Sequence, residues 1–493
     1  MTVTTKPGEA VIRGGKLAGQ GHIADEENLV HSQLTRSSLI GSWLAVLPSL
    51  LPLVFLLLGT STVVFLSICT PPFQTPDEDV HLMRAYQVSN GVLFHGDGGE
   101  VDEGIDEAFS HYSQLPHHPD AKATAADKDA AASVRWTGRR VYIHFATSSY
   151  APTGFLPQAL GVALGRFLDL SVVDTLTLSR LLNGALAISI STLALCWCRR
   201  GKLLMFAILM MPMTMSLFGS CNQDASTISL ACLASSIFSW HIEEGRPFSL
   251  RMSVVLVSIL SIISLARPPY GAFLLLLLVP GLLPRWGKLP VWITGLCLVG
   301  VPIVLTFAWW MASILTTKTK YMLPGISGTV DPWLQFLNMI HHPGVLPHAL
   351  ANIQLFVTCI AGIIAILGWV DTELPFFYYL VMVLVLMIAM SGEMAYGGRF
   401  KRSAMASVLV AISCAAAGVI LSAYMLWDPV GSRVLLGVQG RYFIPLAIAV
   451  GVVLPPLHRS EPIYRWATAV VVCSQALTMT QLPWAIIKRY YLR

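Results

Sequence analysis

The feature that most constrains this chain is the recurrence of apolar stretches near the roughly 20 residues that a bilayer-crossing helix needs. They fall near residues 43–69, 174–197, 203–219, 224–240, 251–266, 271–284, 289–312, 350–368, 374–391, 403–426, 442–457 and 464–486. Only 12% of the 493 residues are charged, against about a quarter in soluble domains. Because the stretches run the whole length, the chain reads as an all-α polytopic integral membrane protein rather than a soluble domain with an anchor. A net charge of +5 gives no basis for a nucleic-acid partner.

Residues 1–42 are polar and mixed in charge, with no apolar signal core, and read as a disordered cytoplasmic tail before a first span at 43–69. The nine cysteines lie in or beside apolar runs at no zinc or disulfide spacing, so they read as packing residues. No internal repeat is visible.

Lysine and arginine in the short loops orient the spans. "CRRGK" (198–202), "HIEEGRPFSLR" (241–251), "PRWGK" (284–288), "GGRFKRS" (397–403) and "LHRSEPIYR" (457–465) all face the cytoplasm if 350–368 is re-entrant or surface-lying. The proline-broken amphipathic stretch 150–168 must lie on the membrane likewise. The expectation is about 11 transmembrane helices (range 9–13), N-terminus inside and C-terminus outside. A large extracytoplasmic loop then covers 70–173, a transmembrane bundle 174–312, a second external or re-entrant segment 313–373, and C-terminal spans 374–487. Residues 70–150 hold 12 of the 27 acidic residues and 6 of the 13 histidines, which concentrates polar chemistry on the external face. Within them, 96–132 is rich in Gly, Ala and Asp and reads as a flexible, solvated insertion; His111, His117 and His118 form no fixed helical offset that would favour a metal site.

"TPPFQTPDEDVHLMRAYQVSNG" (70–91) follows directly on the first span. Pro76 and the acids behind it suit a helix start, and Asn90-Gly91 suits its end. On one helix, positions 77, 81, 84 and 88 share a face, which stacks Asp77, His81 and Arg84. Two readings remain open: an N-terminal cap with surface ion pairs, or a catalytic carboxylate acting as general base or holding a divalent cation, with His81 as its orienter or proton partner.

Other polar residues converge on the same face. "SCNQDASTI" sets Asn222 and Asp224 where an apolar helix begins, "ARPPY" sets Arg267 and Tyr270 at an external helix end, and "VQGRYFIPL" sets Gln439 and Arg441 before a span. Arginine at an external end runs against the charge bias, and its planar fork suits phosphate oxygens. The grouping points to a phosphate-bearing lipid handled together with acid/base chemistry.

"PPFQTPDEDVHLMRAYQVSNG", "YAPTGFLPQALG", "RLLN", "SCNQDA", "RPPY", "DPWLQF", "LGWVDTELP" and "VQGRYFIPL" occur in this order. The series resembles the domain-of-unknown-function 2142 family of predicted multi-pass bacterial membrane proteins, over roughly residues 45–485. The layout is also similar to GT-C glycosyltransferases, which carry an Asp/Glu motif in the first external loop and use polyprenyl-phosphate sugars. That resemblance implies catalytic or metal-holding roles for Asp77 and Glu78, with Mg or Mn as the ion. The residues grouped on that face, Arg84, Asn222, Asp224, Arg267, Tyr270, Gln439 and Arg441, are the candidates for substrate contact, and the resemblance implies a bacterial inner-membrane location. The expected function is inverting sugar transfer from a polyprenyl-phosphate donor to a cell-envelope glycan or lipid acceptor. A flippase for a lipid-linked saccharide and a non-catalytic envelope assembly protein are the alternatives.

Overall fold

The computed structural model describes residues 20–279, 282, 290–316, 329–396, 402–457 and 459–492. The chain divides into two compact units, 1–48 and 49–493. Helix α1 is Gln20–Cys69. The first loop carries α2 (Glu78–Ser89), strand β1 (Gly99–Asp102), α3 (Glu103–Ser110), α4 (Ala125–Ser133), strand β2 (Arg140–Ile143) and α5 (Leu156–Phe167). The bundle continues with α6 (Val172–Trp197), α7 (Lys202–Leu209), α8 (Pro212–Phe218), α9 (Asp224–Glu244), α10 (Leu250–Ala266), α11 (Val291–Gly295) and α12 (Val301–Thr316). After them come α13 (Pro332–His341), α14 (Val345–Leu350), α15 (Ile353–Ile364), α16 (Phe376–Tyr396), α17 (Arg402–Leu426), α18 (Ile444–Val453) and α19 (Glu461–Tyr490). The protein is an all-α polytopic membrane protein whose described strands form one antiparallel ribbon.

Among the described residues, seven helices are long and apolar enough to cross a membrane, and four apolar helices are shorter. About 11 spans were expected, and proline accounts for several of the apolar segments being short or broken. The stretch 203–219 is split into α7 and α8 because Pro212 lacks an N–H and starts a new helix at its first position. Thr214 Oγ1 donates to the Ile208 carbonyl at 3.0 Å, near the break. The expected span 271–284 is instead a 3-10 stretch, Pro268–Leu278, opened by Pro268-Pro269; its later residues lie largely outside the described ones. Helix α15 has 12 residues, about 18 Å of helix against about 30 Å of hydrocarbon, in keeping with a segment that does not cross.

Helix α5, also 12 residues, exposes Leu156, Leu160, Leu164 and Phe167 on one side. Its other side packs on α6 through Gly161 and Gly165: a Cβ on Gly161 would sit 2.5 Å from the Ser179 Cα. This is the small-xxx-small solution to close helix approach, and it turns the apolar stripe outward.

Ion pairs gather the loops at the two ends of the bundle. At one end Arg200 pairs with Glu243 at 3.0 Å and donates to the Leu454 carbonyl at 2.7 Å, while Glu393 accepts from the Gly201 amide at 3.0 Å. These bonds bring together the links after α6, α9, α16 and α18. At the other end, Tyr491 donates to the Cys69 carbonyl at 2.9 Å, and Arg489 pairs with Asp371 at 2.9 Å and donates to the Leu115 and Ala121 carbonyls. The C-terminal end of α19 therefore lies with the first loop.

Two sequence expectations change here. The polar stretch read as a tail is helical from Gln20, and residues 1–19 lie outside the described residues. The stretch 96–132, read from composition as a solvated insertion, carries β1, α3 and α4. Val101, Ile105, Ala108 and Leu115 are fully buried, and Thr124 and Asp127 form a reciprocal capping box on α4. Gly104, Ala108 and Ala131 pack, and Asp102 and Asp127 cap α3 and α4, while Asp106, Glu107, Asp120 and Asp129 face solvent.

Candidate functional site

The site is built where four chain turns meet at the first-loop end. Asp77 caps α2, Asp224 opens α9, Arg267 closes α10, and Arg441 sits in the 3-10 turn Gly440–Phe443 that leads into α18. Arg441 Nη2 donates to Asp77 Oδ2 at 2.7 Å. Arg267 donates through Nη2 and Nε to Asp224 Oδ1 at 2.9 and 3.3 Å. The two pairs adjoin: Arg441 Nε lies 3.8 Å from Asp224 Oδ2, beyond hydrogen-bond reach. Tyr442 braces both cations, with Arg267 4.0 Å and Arg441 5.3 Å from its ring centroid.

Burial is uneven, which decides how the site can work. The Arg441 side chain is 2% exposed, Asp224 7%, Arg267 17% and Asp77 45%. Asp77 is the accessible acid of a mostly buried four-charge cluster. It also stands in the left-handed backbone region at φ 62°, a conformation that costs a non-glycine residue on the order of 1 kcal/mol or more and that surrounding structure must enforce.

The enforcing bond is next door. Glu78, fully buried, accepts from Arg180 Nε at 2.8 Å and Nη2 at 2.5 Å, and from the Cys221 amide at 2.9 Å. Arg180 also donates to the Ser67, Thr70 and Pro71 carbonyls, gathering the chain that leaves α1. Two adjacent acids thus point to two different arginines.

Asp77, expected within the helix, is its N-terminal flanking residue and makes no side-chain cap bond. The stacked face of Asp77, His81 and Arg84 does not form. Arg84 is buried and donates to the Tyr150, Val92 and Leu93 carbonyls and to Gln87 Oε1, which leaves it no bond to Asp77 and fastens the loop instead. Desolvation lowers its pKa to about 10. His81 is within electrostatic reach of Asp77, Asp224, Arg267 and Arg441, and its ring packs 5.5 Å from Phe155. Burial lowers the imidazole to about 4, with Asp77 and Asp224 opposing and Arg441 and Arg267 adding to the shift. It is neutral at physiological pH.

Asn222 caps α9, its Oδ1 accepting from the Ala225 amide at 3.1 Å. Tyr270 donates to the Tyr442 carbonyl at 2.8 Å and so supports the bracing ring. Gln439 precedes the Arg441 turn and its carbonyl accepts from the Tyr442 amide at 3.1 Å. Asp371, in the turn closed by Leu367 and Thr372, belongs to the Arg489 pair.

Sequence reasoning missed Arg180, Tyr150, Gln223 and Tyr442. Arg180 sits inside an apolar stretch, a position that signals a partner or a function. The Tyr150 phenol is pushed up to about 12 by burial, opposed by Arg267 and reinforced by Tyr442, Asp77 and Asp224, which sets it beside the cluster. Arg441 Nε and Nη1, His81 Nδ1, Asp224 Oδ2 and Gln223 Oε1 are buried with no hydrogen-bond partner among the described residues. These five atoms gather around one ion-pair cluster, so its hydrogen-bonding capacity is only partly used within the protein.

A divalent cation does not suit this donor set. Asp77 and Asp224 are each held by a guanidinium and Glu78 is closed on Arg180. Among the described residues no three His, Cys, Asp or Glu side chains come together.

Helical spans around a mostly buried two-arginine, two-carboxylate cluster define a polytopic membrane protein with a polar cluster at one end of its bundle. The family model described as a predicted membrane protein (DUF2142) matches residues 61–450, and the chain belongs to that family. No curated protein and no solved structure matches it.

Proposed function

We propose that the protein is a GT-C-like glycosyltransferase of the bacterial inner membrane, acting at the extracytoplasmic face on a polyprenyl-phosphate sugar. The observation that carries this reading is the half-exposed Asp77 on Arg441, whose Nε and Nη1 have no partner among the described residues. Arg441 and Arg267 bind the donor phosphate. Asp77 takes the proton of the acceptor hydroxyl while that oxygen attacks the anomeric carbon. The bond from that carbon to the phosphate oxygen breaks, and the lipid phosphate leaves with the electron pair, its charge held by the arginines. Neutral His81 accepts or donates a hydrogen bond at the sugar. Asp224 is held by Arg267 and is not free to act as a nucleophile, so the configuration inverts. Glu78 does not react; with Arg180 it fixes the position of Asp77.

The carrier reading is less well supported, because Arg180, an ionisable residue within a span, is closed on Glu78 and opens no path. Donor binding tests the proposal: titration of the detergent-purified protein with undecaprenyl phosphate should give affinity that Arg441→Gln and Arg267→Gln each weaken at least tenfold. Equal affinity in all three proteins contradicts it.

A further inference from the structure

The β1–β2 ribbon presents a solvent face that the cluster above does not use. Its register pairs Glu100 with Tyr142 and Asp102 with Arg140. The ribbon is locked in place: Val101 is fully buried on its inner face, and at the ribbon's end the buried Asp102 carboxylate accepts from the Gly104, Thr137 and Gly138 amides. Gly98, at φ 91°, donates to Ser148 Oγ at 2.8 Å and its carbonyl accepts from Gln87. Gln87 also holds Arg84, which holds the Tyr150 carbonyl. One bonded chain therefore fixes the ribbon to the segment that brings Tyr150 to the cluster.

On the outer face Tyr142 is 53% exposed, and its ring is contacted from several sides. Its hydroxyl donates to the Asp97 carbonyl at 2.7 Å. The imidazoles of His144 and His95 stand edge-on to the ring, at centroid distances of 5.1 and 6.0 Å. Around it, His144 lies 3.7 Å from Asp97 Oδ2, and Arg140 lies 3.5 Å from Glu100. A half-exposed aromatic face bordered by carboxylates, imidazoles and a guanidinium matches a pyranose, which offers C–H groups on one face and hydroxyls around its edge. Tyrosine supplies that contact at small entropy cost.

We propose that this face is a saccharide subsite that seats the acceptor glycan, a sugar ring packing on Tyr142 with its hydroxyls on Asp97, His144, Glu100 and Arg140. The acceptor role rests on the transferase reading; the saccharide binding stands without it. The test is binding of the detergent-purified full chain to an array of soluble bacterial polysaccharide fragments. The wild type should bind a subset of fragments, Tyr142→Ala should weaken that binding about tenfold, and Tyr142→Trp should retain it. No binding by the wild type, or equal binding by Tyr142→Ala, overturns the subsite. If Tyr142→Ala loses glycan while Asp77→Asn keeps full transfer activity, the subsite stands and the transferase mechanism falls.

Discussion

Arg441 and Asp77, 364 positions apart in the chain, meet at 2.7 Å. The contact ties the turn before α18 to the first residues after the N-terminal span. Arg441 is buried and Asp77 is half open, so the arginine holds the acid at the protein surface.

The Glu78–Arg180 pair should be the stability partner of this contact. Removing one member of a buried pair costs about 3–5 kcal/mol, because the other is left charged and unpaired. Glu78→Gln or Arg180→Met should therefore lower the unfolding temperature in detergent markedly, and joint replacement should cost less than the sum of the two. Thermal unfolding of the three variants checks this.

Asp79 carries a pH prediction of its own. Burial raises its carboxyl from 3.8 to about 6, with the neighbouring Asp77 and Glu78 adding. Between those values the folded state binds a proton that the unfolded state does not, so stability falls as pH rises through the window. At pH 7.5 the ionised group costs up to about 3 kcal/mol. Asp79→Asn should raise the unfolding temperature at pH 7.5 and change it little at pH 4.

His81 has the opposite sign. Its folded value of about 4 lies below the ordinary 6.5, so the unfolded state binds the extra proton between them. Stability then rises with pH from about 4 to 6.5, by up to about 3 kcal/mol. His81→Phe should flatten the pH dependence of unfolding in that window, which a melting series from pH 4 to 8 measures.

Gly440 allows the close approach of the Arg441 turn to α15: a Cβ there would collide with the Cys359 carbonyl and the Gly362 backbone. Gly440→Ala should shift Arg441 and reduce activity more than it reduces expression. Comparing turnover per folded protein separates the two effects.

Much of this was legible because hydrocarbon imposes simple rules. Long apolar stretches gave the spans, and the charge bias of the loops put Asp77, Asp224, Arg267 and Arg441 on one face before any contact was known. Pairing was not legible. Nothing local tells Asp77 from Glu78, yet one meets Arg441 and the other Arg180. The left-handed turn at Asp77 breaks the helical face that 3.6-residue spacing implies for Asp77, His81 and Arg84. Composition did not disclose the short elements in 96–132, where Gly104, Ala108 and Ala131 pack and Asp102 and Asp127 cap α3 and α4, although much of the stretch faces solvent. Prolines hid the split of 203–219, since length and hydropathy ignore the missing N–H.

The most direct measurement is sugar transfer by membranes carrying wild-type protein or Asp77→Asn, supplied with a panel of polyprenyl-phosphate sugars. As a positioned general base contributes about 100- to 10,000-fold, Asp77→Asn should lose at least a hundredfold in turnover while remaining folded and still binding lipid phosphate. Turnover by folded Asp77→Asn equal to that of the wild type would contradict the account.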